Sequence, residues 1–209
     1  MYESFGFEDL TAPQAAVYLA LILGALFGAL AEQTKFCFRR GLVGDDRKQA
    51  MGVWMTALAV AIIGTQGAVA ADLISFDEHR FMAADLPIAA IIVGGLMFGA
   101  GMILTRGCAS RLTVLSATGN LRALTVLIVF AIAAHATLKG ALAPLRSGLN
   151  GLTIELGDAI SLTNLPGGAV LWSGLLALAA LGVALRSGNR LSTLAMAASV
   201  GALVPAAWV

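Results

Sequence analysis

The chain has few of the residues from which catalytic and metal sites are built. It contains two histidines and two cysteines, and charged residues make up 12% of its 209 residues, against about 25% in typical soluble proteins. Its long apolar segments hold no histidine pair, carboxylate pair, CxxC sequence, phosphate-binding loop or Ser/His/Asp set. Hydrolysis, nucleotide-driven pumping and metal catalysis therefore have no residues to carry them. We expect a protein that is not an enzyme and that binds no cofactor or metal.

What the chain has in abundance is apolar sequence. Hydrophobic residues make up 59% of it and the mean hydropathy is +0.89, so a soluble fold would have nowhere to place its apolar surface. The composition predicts an all-α, polytopic membrane protein embedded in a lipid bilayer, with no nucleic-acid partner. Among its 24 glycines, the Gly24-xxx-Gly28 and Gly95-xxx-Gly99 pairs predict close helix approaches, because helix association in lipid relies on small residues.

Six apolar windows are long enough to cross a membrane. They lie at about 14–32, 51–71, 86–105, 121–142, 165–185 and 191–209. Two polar interruptions, 33–50 and 106–121, each begin with an apolar or small-residue run around a cysteine, which favours a short helix that re-enters the membrane. Such a segment needs protein or a water cavity to satisfy its backbone. The alternative for each interruption is an ordinary amphipathic cytoplasmic loop.

The order of these segments predicts an internal repeat within a single membrane transport domain, residues 1–209. Repeat 1 covers about 14–71 and repeat 2 about 86–142, each with a Cys-bearing interruption between two spans, so that Cys37 and Cys108 occupy equivalent places. After a polar connection over 145–164, we expect scaffold helices over about 165–209. Because many transporters consist of two related halves, the chain is alternatively one part of a longer or two-component transporter, completed by a second half or by a homo-oligomer.

The basic residues predict the orientation. If the N-terminus lies outside, all but three of the 13 Lys and Arg residues fall on the inside connections, as the positive-inside rule requires. We therefore expect a multi-pass protein with its N-terminus outside. Glu32, at the inner end of the first span, is expected to form an ion pair at the helix end, with a proton-relay role as the alternative.

The two cysteines are the candidate site. An isolated Cys in a membrane helix is usually a small packing residue, but two at equivalent interruptions, each near arginine, favour contact with a substrate. Nearby arginine favours the thiolate, which would repel an anion, whereas a neutral thiol is a weak donor to an incoming sulfur or oxygen atom. Arginine suits the attracting field because its planar fork binds oxyanions and stays charged. The arginines concerned are Arg39, Arg40, Arg106 and Arg111.

At these residues the chain resembles a known family. The segments that carry the likeness are Phe36-Cys37-Phe38-Arg39-Arg40-Gly41, Gly99-Ala100-Gly101-Met102-Ile103-Leu104-Thr105-Arg106-Gly107-Cys108-Ala109-Ser110 and Gly119-Asn120-Leu121. They are similar to the signature of the YeeE/YedE family of sulfur transport proteins, and the resemblance extends from about Gly24 to Leu124. It implies a bacterial inner-membrane permease for thiosulfate, with Cys108 matching the cysteine near the centre of the pathway and Cys37 the one near a mouth.

Residues and resemblance together predict a permease for thiosulfate or a related small sulfur-containing anion. The expected substrate-binding residues are Cys108, Cys37, Gly107, Arg106, Arg111, Arg39 and Arg40. One alternative is a membrane sulfur relay, in which Cys108 exchanges a persulfide with a cytoplasmic sulfurtransferase that docks on the protein. The other is a structural subunit of a larger transporter in which the thiols have no role.

Overall fold

The structure, a computed structural model, describes residues 11–76, 85–155, 164 and 166–208. Its described residues form long and short helices joined by tight turns, so the predicted all-α class is confirmed. The long helices are α1 (Ala12–Gln33), α3 (Arg47–Ala70), α4 (Ile88–Leu104), α6 (Leu121–Leu138), α8 (Gly168–Leu185) and α9 (Leu191–Trp208). The short ones are α2 (Phe38–Val43), α5 (Ala109–Ala117) and α7 (Ala143–Asn150).

Six helical segments of the described chain are long and apolar enough to cross a membrane, which confirms a multi-pass membrane protein. The predicted spans agree with the six long helices to within about four residues. One difference is α6, which ends at Leu138 rather than at residue 142, because Lys139 leaves the helical conformation with φ −133°. The other is α7, which lies largely inside the segment expected to be a polar connection.

A short antiparallel bridge joins two connections between helices. The strands β1 (Asp85–Leu86) and β2 (Ile154–Glu155) pair Asp85 with Glu155 and Leu86 with Ile154. The backbone before α4 is therefore tied to the backbone that follows α7.

The core of the fold is the packing of α3 against α8 and α9. Glycine makes these approaches possible: a Cβ built on Gly201 of α9 would lie 2.3 Å from the carbonyl oxygen of Ala57, and one on Gly52 would lie 2.2 Å from the Cβ of Ser187. The predicted glycine pairs do not have this role. A Cβ built on any of these glycines has no described atom of another helix within 4 Å. The glycines are Gly24, Gly28, Gly95 and Gly99. At these four positions no described neighbour approaches closely, and glycines elsewhere form the close contacts.

The two Cys-bearing interruptions have the same local geometry. At the end of each preceding helix, a threonine hydroxyl donates to the carbonyl oxygen four residues earlier, at 2.7 Å for Thr34 and 2.8 Å for Thr105. The next residues, Lys35 and Arg106, have φ values of 50° and 58°. A left-handed backbone is unfavourable for residues that carry a Cβ, so finding it at matching positions indicates one turn design used twice. The repeat of the whole segments 14–71 and 86–142 stays a prediction.

Candidate functional site

The fold brings the two cysteines together although they are far apart in the sequence. Cys37 and Cys108 are free thiols, and their side chains contact each other. Together with Met102 they form a buried group against which Phe38 packs. We call these four residues the thiol cluster. Cys37 is 8% exposed and Cys108 is 7% exposed, so little of either sulfur is accessible from outside.

Each cysteine occupies the residue immediately before a short helix. Cys37 precedes α2 and Cys108 precedes α5, both with extended backbone. Each sulfur faces the backbone N–H three residues later, that of Arg40 or Arg111, without the alignment of a capping hydrogen bond. The hydroxyl of Ser110 also faces the Cys108 sulfur. These groups are hydrogen-bond donors, so they are also able to bind an anion that enters beside the thiols.

Aromatic packing fixes the position of α2. The ring of Phe36 stacks on Trp54 of α3 with centroids 5.7 Å apart, and Phe38 lies against the same indole at 4.8 Å. Phe27 of α1 completes the group with an edge contact to Phe36 at 6.3 Å. Aromatic pairs of this kind stabilise by about 1 kcal/mol each beyond the area they bury. The turn that carries Cys37 is thus held between α1 and α3.

Arg40 is engaged in an ion pair rather than free. Its Nε donates to Asp46 Oδ1 at 2.8 Å, its Nη2 pairs with Oδ2, and its Nη1 donates to the Lys35 carbonyl oxygen at 3.2 Å. The Arg40 guanidinium holds the pKa of the Asp46 carboxyl below its usual value. The stability this exposed pair contributes is small. It is present above the carboxyl's unfolded-state pKa and lost as pH falls through the lower folded-state value.

The expected ion pair of Glu32 is confirmed, and its partner is Arg111. The Arg111 Nη1 donates to Glu32 Oε2 at 2.9 Å, with side chains 18% and 46% exposed. The pair joins the C-terminal end of α1 to α5, so it links the two interruptions. It also brings the Glu32 carboxylate to Arg111, which lies three residues beyond Cys108 in the chain.

The other predicted site residues lie in different surroundings. Arg39 has a buried Nε without a hydrogen-bond partner among the described residues. Arg106 is exposed on the left-handed turn before the second cysteine. Gly107 is buried, and a Cβ built on it would lie 3.3 Å from the Leu112 side chain. The structure thus collects both thiols and Gly107 in the interior, while the four arginines differ in exposure and pairing.

Residues 33–206 match the sequence profile of a family described as sulphur transport. This is well over half of the chain. The protein belongs to the sulphur transport family. The resemblance carried by the sequence motifs runs from about Gly24 to Leu124, and the family match extends through α8 and α9, which the motifs alone do not reach.

Two relatives in this family carry the name thiosulfate transporter TsuA. The protein from Spirochaeta thermophila is 26% identical over 125 residues, which cover 60% of this chain and 37% of that protein. The protein from Escherichia coli K12 is 28% identical over 95 residues, covering 43% of this chain and 25% of that protein. The chain therefore matches well under two thirds of the length of either relative. No solved structure matches it.

Sequence reasoning did not identify Met102 as a member of the thiol cluster. Met102 lies on the last turns of α4 and belongs to the same buried group as both thiols, but a methionine in an apolar helix carries no signal of such a position. The aromatic residues on both sides of Cys37 were visible in the motif, yet their shared partner Trp54 comes from the next span. A groove of about 380 Å³ between α4 and α6 also reaches Gly107, and its lining is almost entirely apolar.

Proposed function

We propose that this member of the sulphur transport family is a membrane permease for thiosulfate or a related small sulfur-containing anion, with the Cys108 and Cys37 thiols as substrate contacts. The observation that carries the proposal is the contact between two buried thiols at the starts of two helices of matching geometry. The names of the two relatives support the choice of substrate. Gly107, Arg106, Arg111, Arg39 and Arg40 complete the proposed substrate-binding set.

The chemistry follows from what faces the thiols. A neutral S–H group is a weak donor that can bind the sulfur or an oxygen of the anion, and the backbone N–H of Arg111 lies on the same side of Cys108. Since the thiols contact each other and are nearly inaccessible, an anion that passes between them must first separate them. We infer that the described structure is the closed state of the pathway, and that substrate replaces the contact between the thiols.

The remaining features of the proposal concern placement in the membrane. We propose a bacterial inner-membrane location with the N-terminus outside, re-entrant positions for α2 and α5, and a single transport domain built from two repeats and scaffold helices. The two matching threonine and left-handed turns support the repeat. Because the chain matches only part of each relative, a second half or a second copy remains part of the proposal as the partner that completes the pathway.

A growth experiment tests the proposed function. A bacterial strain that lacks its own sulfate and thiosulfate importers is supplied with the chain and with thiosulfate as the sole sulfur source. We expect growth above that of the empty vector, and no advantage when the medium supplies cysteine. Absence of growth at normal membrane expression would reject transport by this chain alone.

Burial of the thiols favours the permease over the sulfur relay. A soluble sulfurtransferase needs access to the sulfur that receives a persulfide, and Cys108 is 7% exposed. Mass spectrometry of the protein after turnover distinguishes the two functions. A permease leaves Cys108 as an unmodified thiol, whereas a relay leaves additional covalent sulfur on it.

Substitutions in the Arg111–Glu32 pair should change substrate affinity in opposite directions. Arg111→Gln removes an attracting charge beside Cys108 and should raise the half-saturating thiosulfate concentration about fivefold, equivalent to about 1 kcal/mol. Glu32→Gln removes the carboxylate that pairs with the Arg111 guanidinium. The freed guanidinium should attract the anion more strongly, so the half-saturating concentration should fall. Initial uptake rates over a substrate series measure both. If the two variants are impaired equally, the pair only holds α1 to α5.

Oxidation should cross-link the thiols and stop transport. With copper(II)-phenanthroline as oxidant, the two S–H bonds break, one S–S bond forms, two electrons pass to copper and two protons to water. Because Cys37 and Cys108 already contact each other, we expect an intramolecular disulfide and at least a tenfold loss of uptake, restored by dithiothreitol. The Cys37→Ala variant is the control, since it cannot form the bond. Two free thiols after oxidation, counted by alkylation, would rule out the contact.

A further inference from the structure

A recess lined by basic residues lies where α3 begins and α8 ends. The recess has a volume of about 450 Å³, with Arg47, Lys48 and Arg186 among its lining residues. The rest of its wall includes Gly41, Met51 and Val183. We call this feature the basic recess. None of its residues belongs to the proposed transport set.

The three cations of the basic recess have no acidic partner. No carboxylate lines the recess among the described residues, and the ion pairs within the described ranges are Arg40 with Asp46 and Arg111 with Glu32. Asp46 immediately precedes α3, but its carboxylate is already paired with Arg40. Like charges around one cavity raise its positive potential and repel each other. An anion in the recess would relieve this repulsion.

The helix dipole adds to the same field. Arg47 and Lys48 occupy the first two positions of α3, a helix of 24 residues, whose N-terminal end carries partial positive charge. Acidic residues are the favourable choice at such positions, and α3 has none in its first turn. Two basic residues there are unfavourable for the isolated helix, and an anion bound in the recess would offset this cost.

Hydrogen bonds fix the geometry of the recess. The side-chain amide of Asn189 donates to the Gln49 carbonyl oxygen at 2.8 Å and to Ser187 Oγ at 2.9 Å. Close packing of Gly52 against Ser187 reinforces this connection. The turn that carries Arg186 is thereby attached to the first turns of α3, so the backbone positions of the three exposed cations are fixed relative to one another. A fixed backbone lowers the entropy lost when their side chains bind an anion.

The apolar part of the wall indicates the source of the anion. The recess lies at the ends of two candidate membrane spans, Arg47–Ala70 and Gly168–Leu185, and in a bilayer the end of a span lies next to the headgroups. Basic pockets between transmembrane helices on the cytoplasmic side bind anionic lipid headgroups. Met51 and Val183 offer contacts to the start of an acyl chain, which a free inorganic anion does not have.

We propose that the basic recess binds a phosphate group, and that this phosphate belongs to an anionic phospholipid. Purified protein in neutral detergent is titrated with phosphatidylglycerol, with phosphatidylcholine or with inorganic phosphate, and the thermal unfolding midpoint is recorded. We expect phosphatidylglycerol to raise the midpoint and phosphatidylcholine to leave it unchanged. The Arg47→Gln/Arg186→Gln variant should need about tenfold more phosphatidylglycerol for the same shift. Native mass spectrometry of the parent should show retained anionic lipid.

The matched control removes the same charge elsewhere. Arg122→Gln/Lys139→Gln alters two exposed basic residues that do not line the recess and should respond to phosphatidylglycerol as the parent does. Equal responses of the parent and both double variants would overturn the site and leave only general attraction to charged lipid. Inorganic phosphate that stabilises the parent as well as phosphatidylglycerol does would overturn the lipid as the source.

Discussion

The Cys108→Ala variant should lose thiosulfate uptake while it is still expressed and folded. Alanine removes one buried sulfur atom next to Met102 and Cys37, a truncation that costs about 1 kcal/mol of folding free energy. It also removes the S–H donor of Cys108, whose sulfur faces the backbone N–H of Arg111 in α5. We expect uptake to fall at least tenfold, or about 1.4 kcal/mol in transition-state free energy. Uptake of labelled thiosulfate at equal membrane expression measures the effect.

Two further variants show which property of the sulfur is required. Cys108→Ser keeps a hydroxyl donor without sulfur's polarisability, so partial uptake would indicate that hydrogen bonding suffices. Cys37→Ala leaves the cysteine at α5 intact and should reduce uptake less than Cys108→Ala does. Normal uptake by both alanine variants would show that the thiols only pack in the interior and do not contact the substrate.

Gly201→Ala should prevent the helices of the core from packing. A Cβ at residue 201 would lie 2.3 Å from the carbonyl oxygen of Ala57, and a backbone atom of α3 cannot rotate away as a side chain can. The two helices must separate, and overpacking of this kind costs roughly 1–3 kcal/mol, occasionally more. We expect a loss of about 3 kcal/mol in the free energy of unfolding, measured by denaturation of the purified protein in detergent.

The neighbouring helix α8 supplies the control for this substitution. A Cβ built on Gly174 meets no described atom within 4 Å, so Gly174→Ala should leave stability unchanged or slightly higher, since alanine favours helix. If Gly201→Ala is as stable as Gly174→Ala, the close crossing of α3 and α9 is absent in the folded protein.

Composition and hydropathy predicted the class and the spans because lipid imposes both helix length and apolar sequence. The two cysteines were also placed at equivalent interruptions from the sequence. What could not be predicted is which glycines bring helices together. Gly95 and Gly99 have the spacing of a packing motif, yet a Cβ built on either has no neighbour within 4 Å, whereas one built on the isolated Gly201 lies 2.3 Å from a backbone oxygen. Glycine spacing predicts that a helix can pack closely, but the partner is fixed by the fold.

The partners of the arginines near the cysteines could not be predicted from the sequence either. Arginine near cysteine was visible in the sequence, but Arg40 and Arg111 each have a carboxylate partner, and that of Arg111 lies at the end of a distant helix. The contact between the two thiols also depends on how the two interruptions meet, and no local pattern encodes that. Chain topology alone decides which of these groups face one another.

Uptake of labelled thiosulfate into liposomes that contain only the purified chain tests the central claim most directly. The parent is compared with the Cys37→Ala/Cys108→Ala variant and with protein-free liposomes at equal lipid and protein content. We predict uptake by the parent well above the protein-free level, and uptake by the double variant equal to that level. Equal uptake by the parent and the double variant would contradict a thiol-dependent pathway in this protein.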